Sequence, residues 1–213
     1  MENKWLEPAV EAYKKYFGDT ANIIFDIGTR DGDDAEYFRE KLNGIQIYAL
    51  DANPLAVQET KRRYPNFNVI ETAISNYDGR TKFTQIISND KDLEGCSSFV
   101  NIHQTQGRGS QFEIDVPVMR LDSFLKTHKI NSVDIIKIDT EGFSYEVLEG
   151  MGDTIHNVKL LHVETEAFSR HEGHKNNVEI KKFMEDKDFT LVDLSYEWGP
   201  TVEDQVWINN KLI

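Results

Sequence analysis

The chain has 213 residues, a formal net charge of −13, 39% hydrophobic residues including twelve Phe, and a single cysteine, Cys96. That length and apolar content suit one globular domain, or one domain with an insertion, around a sizeable core. The acidity argues against a nucleic-acid or anionic-membrane surface, and one cysteine excludes a disulfide framework or a cysteine-based zinc site.

The first segment, MENKWLEPAVEAYKKYFG, carries Trp5, Leu6, Ala9, Val10, Tyr13, Tyr16 and Phe17 at helical spacing and stops at Gly18. It predicts a helix over 3–17 and lacks the apolar core of a signal peptide. With no apolar run near the roughly 20 residues of a membrane span, a soluble cytoplasmic protein is expected. ANIIFDIG follows as a buried strand, then DDAEYFREKLNG as a helix whose acidic first turn suits the macrodipole. IQIYALD and NVIETAIS predict the second and third strands, with a helix over NPLAVQETKRRYP between them, started by Pro54. VDIIKIDTEG, VKLLHVETE, FTLVDLS and QVWINNKL supply four more strands, and SYEVLEGMG and VEIKKFMEDK supply helices. Strands alternating with helices predict a mostly parallel α/β sheet covered on both faces.

Residues 80–120 break the alternation. RTKFTQIIS and QFEIDVPVMR each alternate apolar and polar residues, which predicts a hairpin pair. Between them, Asn89 to Ser110 are polar and without period, and such a long loop in a compact domain suggests a lid over the substrate.

The turn after the first strand, FDIGTRDGDD, sets the chemistry. A strand running into a glycine turn often cradles phosphate, yet this one carries Asp26, Asp31, Asp33 and Asp34 against Arg30. It is neither a Walker loop nor GxGxxG, because Gly32 follows Gly28 by four. A pyrophosphate would be repelled by Asp26 and Asp31. Asp51 falls 25 residues after Asp26, at the end of the second strand, where an α/β sheet places its ribose-binding acid. The pattern fits a cationic, phosphate-free adenosine ligand, and S-adenosylmethionine has that chemistry.

The segments IIFDIGTRDGDDAEYF, YALDANP, ETAISNYDG, VPVMRLDSFL, VDIIKIDTEGFSYEVLEGM and LHVETE together resemble the FkbM family of S-adenosylmethionine-dependent methyltransferases. The resemblance runs from Ile23 to about Glu166, and KIDTEG…VLEGM is its most specific block. It implies a Rossmann-like, seven-stranded class I methyltransferase domain, mostly parallel, with an antiparallel last strand and an inserted hairpin. It implies cofactor contacts from Asp26, Gly28, Thr29, Arg30, Asp31, Asp51, Ala52, Ala73 and Ile74. Arg30 departs from the family's commoner Asp-x-Gly-Ala-Asn turn, while Asp51, Asn53 and Pro54 match its D/E-x-N-P element. Such proteins are associated with O-methylation of hydroxyls on sugars and natural products, so a small-molecule or glycan hydroxyl is the expected acceptor.

Methyl transfer to oxygen needs an aligned acceptor and removal of its proton. Lys137 and Asp139 share one strand face. Lys137 either closes a salt bridge at the sheet end or positions an oxygen and tunes Asp139, with Asp139 or Glu141 as base. His162, Glu164 and Glu166 also share a face, and with Asp139 they could hold a divalent ion. Glu164 is the fourth candidate catalytic residue; His162 also suits a core position, and the metal-free version is preferred because no ligand cluster of fixed spacing appears. His171 and His174 suit a polar loop, Ser97 and Ser98 a substrate loop, and Trp198-Gly199-Pro200 a turn before the last strand. Two other classes share the pattern: a nicotinamide-dependent oxidoreductase, which the missing GxGxxG disfavours, and a non-catalytic cofactor-binding module.

Overall fold

The computed structural model describes residues 4–88, 109–168, 175–195 and 201–213. A short 3₁₀ turn at Lys4–Leu6 leads into α1 (Glu7–Phe17), followed by β1 (Ile23–Ile27), α2 (Asp33–Lys41), β2 (Gln46–Asp51), α3 (Pro54–Arg63) and β3 (Asn68–Glu71). Then come β4 (Ala73–Ser75), β5 (Gly79–Ser88), β6 (Gly109–Arg120), α4 (Leu121–Thr127), β7 (Val133–Ile138) and α5 (Ser144–Gly150). A second 3₁₀ turn, Gly152–Asn157, precedes β8 (Val158–Glu166), α6 (Asn177–Asp186), β9 (Phe189–Ser195) and β10 (Val202–Asn209).

Seven strands form one sheet in the order β3-β2-β1-β7-β8-β10-β9. All neighbours are parallel except at β10, which runs antiparallel to both β8 and β9. The expected α/β architecture with its antiparallel last strand is therefore present. So is the hairpin: β5 and β6 pair antiparallel from Gly79↔Val118 to Ser88↔Gly109.

The third strand departs from expectation. NVIETAIS is two strands: β3 extends the main sheet beside β2, while β4 leaves it and pairs with β6 in a separate three-stranded sheet. Thr72 marks the break, its N–H donating to the Asp51 carbonyl at the end of β2 and its hydroxyl to the Ala73 carbonyl. Beyond Asp51 the main sheet has no strand left to pair with, so the chain crosses to the hairpin. Helix α4 and the second 3₁₀ turn are additions to the elements expected.

Each face of the main sheet has its own core. Phe25, Ile27, Leu50, Ile136, Ile138, Leu161, Val163 and Trp207 pack beneath α4, α5 and α6. On the opposite face Ile24, Ile47, Ile135, Leu160, Val206 and Ile208 pack against Ala9, Val10, Tyr13, Ala35 and Phe38 of α1 and α2. Alternation along each strand makes this division, and burying each large apolar side chain contributes roughly 1.5–3 kcal/mol. Asp134 ties α1 to the lower edge of the sheet: it accepts from Tyr13 Oη (2.8 Å), Lys159 Nζ (2.7 Å) and the N–H groups of Asn22 and Ile23. Among the described residues no helix is long and apolar enough to cross a membrane.

Candidate active site

The α1/α2 face changes character along the strands. At their N-terminal ends it carries Ile24, Ile135 and Leu160; two residues on, the same positions are Asp26, Lys137 and His162; two further lie Gly28, Asp139 and Glu164. Parallel register puts Asp26 beside Lys137 and Lys137 beside His162. An apolar strand face that turns ionic at its C-terminal end is where an open α/β sheet binds ligand.

Lys137 is the centre of this ionic patch. Its side chain is only 4% exposed, and its ammonium lies 2.8 Å from Asp34, 3.1 Å from Asp139 and 3.7 Å from Asp26. Burial pulls the ammonium down, but Asp139, Asp34 and Asp26 outweigh it and hold Lys137 well above the usual lysine range. Asp26 is fully buried, and burial raises its carboxyl although Lys137 opposes the shift. Thr29, also buried, donates its hydroxyl to Asp26 at 2.7 Å.

The glycine turn is pressed onto the end of β7. Gly28 has φ +82°, and a Cβ placed there would sit 1.7 Å from the Asp139 carbonyl oxygen. The Asp139 N–H donates to Ile27 at 3.0 Å, and the Gly28 N–H donates to Leu50 at 2.9 Å. Arg30, at φ +51°, sends its side chain into solvent and donates its backbone N–H to Asp51 at 2.9 Å. The other Asp51 oxygen accepts the Asn53 N–H at 2.7 Å. Burial raises Asp51 to about 6, against the pull of those two amides.

The turn's acids are largely neutralised from within. Asp31 and Asp33 pair with Arg63 of α3 at 3.2 and 2.5 Å, and Tyr64 donates its hydroxyl to Asp33. Asp34 pairs with Lys137, a partnership invisible in sequence because it joins a helix to a strand about a hundred residues away. Ala52 and Ala73 meet in a small apolar cluster with Phe83, Val116 and Val118, where the hairpin sheet seats against the main one. Ile74 points instead into the main core. Gln85 of β5 donates to the Asn53 side chain at 2.7 Å, so the hairpin is bonded directly to the β2–α3 turn. Beside it a cleft of about 120 Å³ is lined by Arg30, Asp31, Asn53, Leu55, Ala56 and Ile86.

At the far side, Glu141 takes φ +51° in the turn after β7, and Glu164 lies near the end of β8. Burial, and then the charges of Asp139, Glu141 and Asp204, hold Glu164 well above the usual carboxylate range. His162 is 1% exposed, and burial lowers it to about 3, so it stays neutral. Neither of its ring nitrogens has a hydrogen-bond partner among the described residues; Nε2 is 3.7 Å from Asp204. Asp204 and Gln85 were not singled out from the sequence, nor was the pairing of Asp34 with Lys137. Among the described residues no group of three or more His, Cys, Asp or Glu side chains is placed to hold a metal ion. Cys96, Ser97, Ser98, His171, His174 and the turn at 198–200 lie outside the described residues, as does nearly all of the expected lid.

The model of the methyltransferase FkbM domain matches residues 26–191, most of the chain. The protein belongs to the FkbM methyltransferase family. A 2-O-methyltransferase, NoeI of Sinorhizobium fredii (strain NBRC 101917 / NGR234), is 26% identical over 161 residues, covering 71% of this chain and 66% of that protein. The chain thus spans just under two thirds of that relative's length. Solved structures share the fold at lower identity. TrmK of M. capricolum, solved with S-adenosyl-homocysteine, has TM-score 0.53 and 12% identity, covering 94% of this chain and 67% of its own. An rRNA methylase from Streptococcus thermophilus has TM-score 0.54 and 11% identity over 98% of both chains. Membership of the FkbM family carries S-adenosylmethionine with it as methyl donor, and the donor groups here suit that molecule. Asp51 is acceptor-only when ionised and has spent one bond per oxygen, leaving lone pairs for two ribose hydroxyls.

Proposed function

We propose that this FkbM protein is an S-adenosylmethionine-dependent O-methyltransferase whose acceptor is a hydroxyl of a sugar, glycan or natural product. The observation that carries the proposal is the joint between the Gly28 turn and Asp139, which sets a cofactor-binding turn directly against a cluster of carboxylates. The relative's 2-O designation supports a hydroxyl oxygen as acceptor. The net charge of −13 supports a small or glycan acceptor over a nucleic acid.

When bound, S-adenosylmethionine supplies a methyl carbon activated by its sulfonium. Asp51 accepts the ribose hydroxyls, and the backbone around Gly28, Thr29 and Arg30 lines the neighbouring part of the molecule. Ala52, Ala73 and the backbone at Ile74 border the adenine side. Lys137 holds Asp139 by its Oδ2 and so fixes the wall on which the acceptor rests. A carboxylate of the Asp139, Glu141 and Glu164 group takes the hydroxyl proton, since a sugar hydroxyl is too weak an acid to ionise unaided at neutral pH. Lys137 also supplies, beside Asp139, the positive charge that a metal would otherwise bring, so the reaction is assigned to the metal-free route.

The test is release of S-adenosylhomocysteine from the full chain with a panel of nucleotide sugars, polysaccharides and hydroxylated natural products, with and without chelator. Acceptor-dependent release that survives chelation is expected. Release only with a nucleic-acid substrate would overturn the acceptor class, and loss on chelation restored by magnesium would overturn the metal-free route.

A further inference from the structure

Asp204 comes from the one antiparallel strand of the site, and the β8–β10 register sets it directly opposite Glu164. Cross-strand partners lie with Cβ atoms about 4.5–5.5 Å apart, and like charges facing each other there are destabilising. Nothing about the fold requires the pair: Val206 and Ile208, the next positions of β10 on that face, are apolar. Directly below, Val206 faces His162, whose buried Nε2 stops 3.7 Å short of Asp204 Oδ1. A buried imidazole without a hydrogen bond is an unmet demand, and it is aimed at this carboxylate.

We propose that Asp204 is a positioning residue for proton removal: with the His162 ring 3.7 Å beneath it, it faces Glu164 and makes Glu164 the base that takes the acceptor's proton. This rests on the proposed O-methyl transfer and names its base. As the acceptor oxygen bonds to the methyl carbon, the carbon–sulfur bond opens and its electron pair goes to sulfur. The hydroxyl proton goes to a Glu164 oxygen, and from there to solvent. The assignment also separates the carboxylates. Asp139 is tied to Lys137 through its Oδ2 at 3.1 Å, whereas Glu164 has no such ammonium contact among the described residues. Glu164 feels Asp139 and Glu141 from the β7 end and Asp204 from β10, has His162 and Glu166 along its own strand, and is opposed by the charge of Lys137. Its backbone is pinned by Ser144, whose hydroxyl donates to the Glu164 carbonyl at 2.7 Å.

The test needs no acceptor at its first step. Carboxyl carbons of glutamate-labelled full chain are titrated by NMR, with Glu164→Gln assigning the resonance. In Asp204→Asn the Glu164 inflection is expected to fall by at least about one pH unit, the size at which two sites titrate as a pair. Asp204→Glu, which keeps the charge, is expected to hold it high; if Asp204→Asn does not fold, Asp204→Ser carries the same comparison. With a glycan acceptor from the panel, the ascending limb of the pH–rate profile is expected to move down in the same variant by the same amount. An unmoved Glu164 inflection overturns the pairing, and a moved inflection with an unmoved rate profile overturns Glu164 as base. A panel without any acceptor would instead undo the proposed function and leave the titration to decide the pairing.

Discussion

Gly28 and Asp139 meet backbone to backbone: a Cβ on residue 28 would lie 1.7 Å from the Asp139 carbonyl oxygen. The contact joins β1 to β7 just where the glycine turn begins and the carboxylate cluster starts. Gly28→Ala therefore meets both a positive φ, costing roughly 1–2 kcal/mol alone, and an obstructing carbonyl that cannot move without shifting Asp139. Gly18 has a similar φ of +93° with nothing within 4 Å, so Gly18→Ala isolates the backbone cost. Urea denaturation is expected to show the larger loss for Gly28→Ala, with S-adenosylmethionine binding lost there and kept in Gly18→Ala.

Asp51→Ala is expected to weaken S-adenosylmethionine binding by about 1.5–3 kcal/mol for each hydrogen bond to the charged carboxylate. For one bond that is roughly ten- to a hundredfold by calorimetry. Because Asp51 sits at about 6, wild-type affinity is expected to decline as pH falls through that value and the carboxylate is protonated. Asp51→Asn, which cannot titrate, is expected to bind weakly and without that decline.

Lys137→Met leaves Asp26 and Asp34 facing each other without their shared ammonium. Breaking a buried ion pair from one side costs about 3–5 kcal/mol. Asp26, already raised to about 6 by burial, then loses the cation that opposes the shift. The penalty is absent in acid and grows as pH rises from the ordinary carboxylate range through the raised Asp26 value. Denaturation at pH 4.5 and pH 8 is expected to show a deficit that is larger at the higher pH.

Glu164 follows the same sign in the wild type. Its raised pKa means the folded state holds a proton that the unfolded state has released, so stability falls as pH climbs through that window and then levels off. Glu164→Gln is expected to be more stable than wild type above the ordinary glutamate range, while methyl transfer drops by about 10²–10⁴-fold. A variant that gains stability and loses rate together is the signature of a strained functional group.

Much of this arrangement was legible in the sequence because it follows period and punctuation. Alternation gave the strands, Gly18 and Pro54 marked helix limits, and the acid 25 residues beyond Asp26 marked the end of the second strand. What stayed hidden depends on contacts between distant segments. The break at Thr72 follows from where β2 runs out, which the apolar run NVIETAIS does not reveal. Asp204 escaped because the last strand was expected to start at Gln205, whereas pairing with β8 extends it back to Val202. Asp34 looked like a favourable charge in a helix's first turn, yet its carboxylate is 2.8 Å from Lys137. The acid-lined turn likewise looked bare until Arg63 of α3 was found against Asp31 and Asp33.

The central claim is transfer of a methyl group to a hydroxyl oxygen at the joint between the Gly28 turn and the carboxylates of β7 and β8. The most direct test supplies S-adenosylmethionine labelled with carbon-13 in its methyl group and locates the label in the product by NMR. The account predicts an alkali-stable O-methyl ether on a sugar or natural-product carbon, formed one for one with S-adenosylhomocysteine and lost in Glu164→Gln. Label found on nitrogen, on carbon or as an alkali-labile ester, or formed at the wild-type rate by Glu164→Gln, would contradict it.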